Sequence, residues 1–356
     1  MSSSSASAAR ATATRAAAPE PRQVSLALQG GGAHGAFTWG VLDRLLEDGR
    51  LALNGISATS AGAMNGAMLV YGMLDGGVDG ARALLRRFWE RIARSGRHSI
   101  FRPTPFDKMM GNHNLDHSPA YAWFDLLTRS LSPYQFNPGG LNPLRDVLVE
   151  LIDFERLRAH KGLKLFVNTT NVRTGKIRVF GPGEITVDTL LASACLPHLF
   201  HAVEIDGEHY WDGGFMGNPA MFPLLYNCEA SDIVLIEINP IAIEKLPDSA
   251  RAIIDRMNSI SFNATMMREM RTIALVTRLL DQHRLTGASN LRRINFHIVQ
   301  AEEEMARFGA SSKFNLDEDF LDILFELGRR TASDWLERHY ADVGVNSTVD
   351  LNKLFY

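Results

Sequence analysis

Three short stretches carry residues suited to acyl transfer: Gly30-Gly31-Gly32-Ala33-His34-Gly35, Thr59-Ser60-Ala61-Gly62 and Trp211-Asp212-Gly213-Gly214. A serine hydroxyl becomes a useful nucleophile only when a neighbouring base takes its proton. Ser60 sits between an apolar run (Leu51-Ala52-Leu53, then Ile56) and a run of small residues and Met from Ala61 to Leu69. A sharp strand-to-helix turn there would lift the hydroxyl clear of a sheet. The helix N-terminus behind it would favour developing negative charge. The usual elbow pattern is G-x-S-x-G; here Ala58 replaces the first glycine and Gly62 supplies the second. Ala58 must then avoid positive φ. The amides of Gly30, Gly31 and Gly32, unobstructed by side chains, suit an oxyanion or a phosphate. Asp212 before Gly213 and Gly214 is by itself an ordinary turn. Beside a serine it is a candidate base, the glycines letting its backbone approach closely. The spacing of Gly30, Gly32 and Gly35 also fits the dinucleotide pattern G-x-G-x-x-G. That reading needs an acidic residue after the second strand, where this chain has Ser60.

The elements that must position these residues follow from periodicity. Val24 to Leu28 is a buried strand leading into the glycine loop. A helix follows with Phe37, Val41, Leu42, Leu45 and Leu46 on one stripe, ending at Gly49. Strand, glycine loop, helix, strand, Ser60, helix is the start of an α/β sheet with parallel strands. Further helices are expected over 80–95, 144–157, 189–195, 248–286 and 320–340. Strands are expected over 163–168, 176–180, 233–238 and 293–299, with a hairpin turning at Asp206-Gly207. Residues 96–142 show no clear period and are expected to be irregular. Glu302-Glu303-Glu304 is expected to be a solvated turn.

Composition bounds the function. The chain has 356 residues, 46% hydrophobic and 22% charged, enough for a sizeable core. A net charge of −3 gives no basic excess, so no nucleic-acid partner is expected. Two isolated cysteines, Cys195 and Cys228, form neither a disulfide framework nor a zinc site. No apolar run is long enough to span a membrane. Residues 1–23, rich in Ser, Ala, Thr and Arg, lack a signal-peptide core and are expected to be a disordered tail. These absences lead to an expectation of cytoplasmic residence with peripheral membrane contact.

The three stretches, in this order, together with Ala192-Ser193-Ala194-Cys195-Leu196-Pro197 and then Phe200, resemble the patatin-like phospholipases, a family of lipid acyl hydrolases. The resemblance covers about residues 24–240; residues 250–340 look like the C-terminal extension of some bacterial members, and 241–356 are expected to form that extension. It implies a three-layer α/β/α fold with a mainly parallel central sheet, an acyl hydrolase domain over 24–240 and a helical C-terminal extension packed on it. It also implies a catalytic dyad, with Ser60 as nucleophile and Asp212 as base. Gly30, Gly31 and Gly32 would form the oxyanion hole, and Gly35, Gly62, Gly213 and Gly214 the supporting turns. The substrate would be a lipid ester, with no cofactor and no metal. Besides Ala58, two departures stand out. His34 occupies a position where many members carry Arg or Lys, and would give a weaker charge varying around pH 6.5. Gln29 stands where plant members have an aspartate. The dyad also needs an Asp212 pKa raised by desolvation, since an ordinary carboxylate is a poor base towards an alcohol.

Rival readings remain at this point. A Ser…Asp…His triad would draw on His283 or His297. His113, Asp116 and His117 form a weak metal motif, more simply read as loop residues. Phe101, Phe106, Met109, Met110, Tyr121, Trp123 and Phe124 suit either an acyl-binding rim or ordinary packing. The apolar and basic stretch from Arg256 to Leu275 suits either a membrane surface or a helix buried on the sheet. As to function, an acyltransferase and a catalytically silent lipid-binding protein stand beside the hydrolase.

Overall fold

The structure, a computed structural model, describes residues 20–97, 99, 101–243, 246–282, 291–351 and 353. Residues 1–19 of the expected tail and His283 therefore lie outside the described residues.

The chain opens with β1 (Arg22–Leu28), α1 (Gly35–Asp48), β2 (Leu51–Ala58) and α2 (Ala61–Gly96). Gly49 ends α1 at φ 71, the left-handed cap its position implied. The run of α2 is interrupted at Gly76 and Gly77, which leave helical φ/ψ. Next come α3 (Pro105–Met109), α4 (Pro119–Ser130), α5 (Pro133–Phe136), α6 (Leu144–Leu151) and α7 (Phe154–Ala159). The stretch expected to be irregular thus holds three short helices. Each starts at a proline whose fixed φ suits the first turn, and Thr104 also caps α3 through its side chain, accepting from the Asp107 amide. The helix expected over 144–157 is two helices, because Asp153 breaks off as the N-cap of α7 and accepts from the amides of Glu155 and Arg156.

The remainder is β3 (Lys164–Asn171), β4 (Ile177–Phe180), α8 (Val187–Ser193), β5 (Val203–Ile205), β6 (Glu208–Asp212), α9 (Phe222–Asn227), β7 (Asp232–Ile236), α10 (Ala250–Asp281), β8 (Asn295–Val299), α11 (Glu302–Met305) and α12 (Glu318–His339). The β5–β6 hairpin turns at Asp206 (φ 53) and Gly207 (φ 76), the two positive φ values of a type I′ turn. The three glutamates expected in a turn form the single helical turn of α11.

The sheet order is β5-β6-β3-β2-β1-β7-β8, with β4 also paired to β3. Strands β3, β2, β1, β7 and β8 run parallel. The β4, β5 and β6 pairings are antiparallel. Alternating side chains feed two cores. Leu26, Leu28, Val234 and Ile236 face α1, α2 and α12. Ala27, Ile233, Leu235 and Phe296 face α9 and the Met266–Met270–Ile273 stripe of α10. This is a three-layer α/β/α fold with a mainly parallel sheet and a helical C-terminal region. That region also contributes β8, so the sheet draws strands from both sides of residue 240. No helix among the described residues is long and apolar enough to cross a membrane.

Candidate active site

All three stretches lie at the carboxyl end of the parallel strands, where open α/β sheets place their ligands. Ser60 links β2 to α2 with φ 54 and ψ −124, one of two positive-φ residues other than glycine among the described residues. Such a conformation costs about 1–3 kcal/mol and persists only where its surroundings impose it. Here the Ser60 amide donates to Ser193 Oγ (2.9 Å), which itself donates to the Asn168 carbonyl (2.7 Å). Thr59 Oγ1 donates to the Gly217 carbonyl (2.6 Å), and the Gly62 and Ala63 amides turn back onto the Thr59 carbonyl. A Cβ on Gly62 would collide with the Leu28 carbonyl and lie 2.7 Å from that of Gln29, so only glycine lets α2 start this close to β1. Ala58 stays in the strand and avoids positive φ, as its side chain requires.

The glycine loop reaches the serine directly. A Cβ on Gly30 would lie 2.6 Å from Ser60 Cβ, and one on Gly35 would lie 2.8 Å from Ala61 Cβ. The donor set differs from the expected one. The Gly30 amide already donates to Asn218 Oδ1 (2.7 Å), so it is not an open donor. The amides of Gly31 and Gly32 donate to no protein acceptor among the described residues. Gly32 holds φ 59 with the Lys313 carbonyl where its Cβ would be.

Asp212 ends β6, opposite Thr169 of β3, and is 1% exposed. Its amide donates to the Cys195 carbonyl (2.8 Å), and its Oδ1 accepts from the Gly214 amide (2.7 Å). A Cβ on Gly213 would collide with the Asn168 carbonyl and one on Gly214 with the Phe262 ring of α10. Both glycines therefore serve the close approach. Burial pushes the Asp212 pKa up to about 7, opposed by the Gly214 amide, by hydrogen bonding from the Ser60 side chain and by the charge of Lys313. Ser60 and Asp212, 152 positions apart in sequence, thus meet.

His34 does not behave as its position suggested. It is buried, bonded through Nε2 to Ser312 Oγ (2.8 Å), and burial holds its pKa well below the usual value. It stays neutral instead of titrating near 6.5. Gln29 bridges the loop to the segment that follows β7: Oε1 accepts from the Ile238 and Asn239 amides (2.9 and 3.0 Å). Asn239 Nδ2 donates to the Gly30 carbonyl (2.7 Å), and Asn263 of α10 donates to the Asn239 carbonyl (3.3 Å). Asn218, Asn239 and Lys313 were missed from the sequence, and Ser193 was read only as part of a family block, without a role. Asn218 and Asn239 each precede a proline, a turn signal that in retrospect marks loops at the site.

The triad histidine His297 lies elsewhere. Its Nε2 meets Asp232 (2.9 Å), at the amino end of β7 and away from Ser60. His117 pairs with Asp107 (2.8 Å), and His113 stacks on Phe320. No metal-binding cluster of three or more His, Cys, Asp or Glu occurs among the described residues. Phe101, Tyr121 and Phe124 pack together, whereas Phe106, Met109, Met110 and Trp123 are exposed. In α10, Met266, Met270 and Ile273 are buried on the sheet, and Met257 and Ile260 face outward.

A family model described as patatin-like phospholipase matches residues 26–225, more than half of the chain. No curated protein is similar enough to match it. Among solved structures, VipD from Legionella pneumophila aligns over 90% of this chain and 67% of its own, at 16% identity and a TM-score of 0.43. The heterodimeric ExoU–SpcU complex from the type III secretion system of Pseudomonas aeruginosa aligns over 90% of this chain and 52% of that chain, at 17% identity and a TM-score of 0.37. This chain thus spans about half the length of the second.

Proposed function

This chain belongs to the patatin-like phospholipase family, and from that premise we propose that it is a serine lipid acyl hydrolase working through Ser60 and Asp212. The observation that carries the reading is the strained Ser60 backbone presenting its hydroxyl to a buried carboxyl group. In this mechanism Asp212 takes the Ser60 proton as Oγ attacks the ester carbonyl carbon. The amides of Gly31 and Gly32 stabilise the tetrahedral oxyanion, each such donor contributing about 10²–10³ in rate. Collapse expels the alcohol, which takes the proton from Asp212, and leaves an acyl-serine. Water then loses a proton to Asp212 and attacks the acyl carbon. Collapse releases the fatty acid and returns the proton to Ser60.

A desolvated carboxyl group with a pKa of about 7 is matched to this work near neutral pH. Exposed apolar side chains on and just after α3 and on α4 (Phe106, Met109, Met110, Trp123 and Leu126) would provide contact with a lipid surface, consistent with a cytoplasmic protein that meets membranes peripherally.

The test is fatty-acid release from phospholipids, lysophospholipids and p-nitrophenyl esters, wild type beside Ser60→Ala. The reading expects release by wild type and a loss of at least about 10³-fold in the variant. Equal release by both, or no release by wild type from any ester, would overturn it.

A further inference from the structure

We propose that Lys313 of the C-terminal region is the anion-binding residue of this site, its ammonium taking the phosphate of a phospholipid substrate. The inference rests on the hydrolase reading for its substrate class but stands on its own geometry. Lys313 follows Ser312, which holds His34, and its carbonyl lies 2.5 Å from where a Cβ on Gly32 would be. The residue is thus built into the wall of the glycine loop. Its Nζ donates to Asn239 Oδ1 (2.7 Å), while Asn239 Nδ2 holds the Gly30 carbonyl. The same amide therefore fixes both the ammonium and the first glycine of the loop.

This ammonium is under-used. It carries three N–H donors. Among the described residues its hydrogen bond goes to a neutral amide, and no carboxylate lies within ion-pair distance. The residue as a whole is half-buried, but desolvation lowers its pKa, so its charge is costly there without an anion in contact. The carboxylates that favour its charge are Asp212 at the end of β6 and Asp255 on α10; His34, the remaining titratable group near it, is neutral. A phosphate beside the reacting ester would supply an anion in direct contact, which neither carboxylate provides, through charge-assisted hydrogen bonds at the rim of the glycine loop. A neutral acylglycerol offers nothing to this group, so Lys313 would distinguish the two lipid classes.

The experiment measures binding in the full chain carrying Ser60→Ala, which prevents turnover. A lysophospholipid and the monoacylglycerol with the same acyl chain are titrated by calorimetry, and the ratio of their Kd values is read. The expected ratio favours the lysophospholipid by about tenfold or more. Adding Lys313→Met should bring the ratio close to one, and Lys313→Arg should retain it. Lys313→Gln gives the same reading if the Met variant does not fold. A ratio unchanged by Lys313→Met, or near one before any substitution at 313, overturns the proposal. Because binding is read without hydrolysis, a ratio that follows Lys313 supports this assignment even if wild type releases no fatty acid. That outcome would count against the hydrolase reading alone.

Discussion

Asp212 carries the tension between folding and chemistry at the scale of single residues. Its pKa is raised, so the folded state binds its proton more tightly than the unfolded chain does. Stability from this group is therefore present at low pH and is lost as pH rises from about 4 to about 7. Asp212→Asn removes the charge without changing the shape. We expect its stability relative to wild type to climb across that window and level off above it, by up to a few kcal/mol at about 1.4 kcal/mol per pH unit. Urea unfolding at a series of pH values measures this; a difference independent of pH would contradict a desolvated carboxyl group. At this scale the sequence was informative wherever a residue type is forced by local geometry. Ser60, Asp212 and the close-approach glycines were legible because the turns that hold them tolerate few alternatives. The roles of Ser193, Asn218 and Lys313 were not, because their partners are far off in sequence: Ser60 lies 133 positions from Ser193, Gly30 lies 188 from Asn218, and Asn239 lies 74 from Lys313. Gly30 was expected as an oxyanion donor; it lies beside Ser60, but its amide is occupied by a side chain that no local pattern announces.

Among the elements, α1 and α12 show what close packing demands. A Cβ on Gly40 of α1 would collide with the Phe325 carbonyl, and one on Gly328 of α12 with the Phe37 carbonyl. The helices cross where neither has a side chain. Helix propensity alone predicts that Gly328→Ala stabilises α12 by about 1 kcal/mol. The crossing predicts the reverse, a loss of about 1–3 kcal/mol, as overpacking forces the backbones apart. Chemical denaturation decides between them by sign. Strong periodicity made α1 and α12 legible in advance. The helices of 96–142 were not: α3 and α5 are too short for a period to register, and the 12-residue α4 was missed although Ser118-Pro119, like Thr104-Pro105 and Ser132-Pro133, carried a start signal.

In the whole molecule, the C-terminal region is tied to the catalytic half at three levels. It adds β8 to the sheet, covers α1 with α12, and brings Lys313 to the glycine loop. Asp43 of α1 is buried and paired with Arg82 of α2 and Arg329 of α12. Removing one side of such a buried network leaves a charge uncompensated. A chain ending at residue 240 is therefore expected to lose cooperative unfolding, seen by circular dichroism during heating. A cooperative transition near that of the full chain would show that 24–240 folds alone. The boundary at 240 followed where the motifs stop, but pairing of β7 with β8 joins segments about 60 residues apart, a non-local choice that strand patterns leave open.

The central claim is that Asp212 activates Ser60, and the most direct measurement is the rate at which a fluorophosphonate labels Ser60, followed by intact-protein mass spectrometry from pH 5 to pH 9. The account predicts a single adduct on Ser60, a rate that rises with pH through about 7, and a loss of at least about 10²-fold in folded Asp212→Asn. Labelling of Ser60 at the same rate in both proteins, or no labelling of Ser60 in wild type, would contradict it.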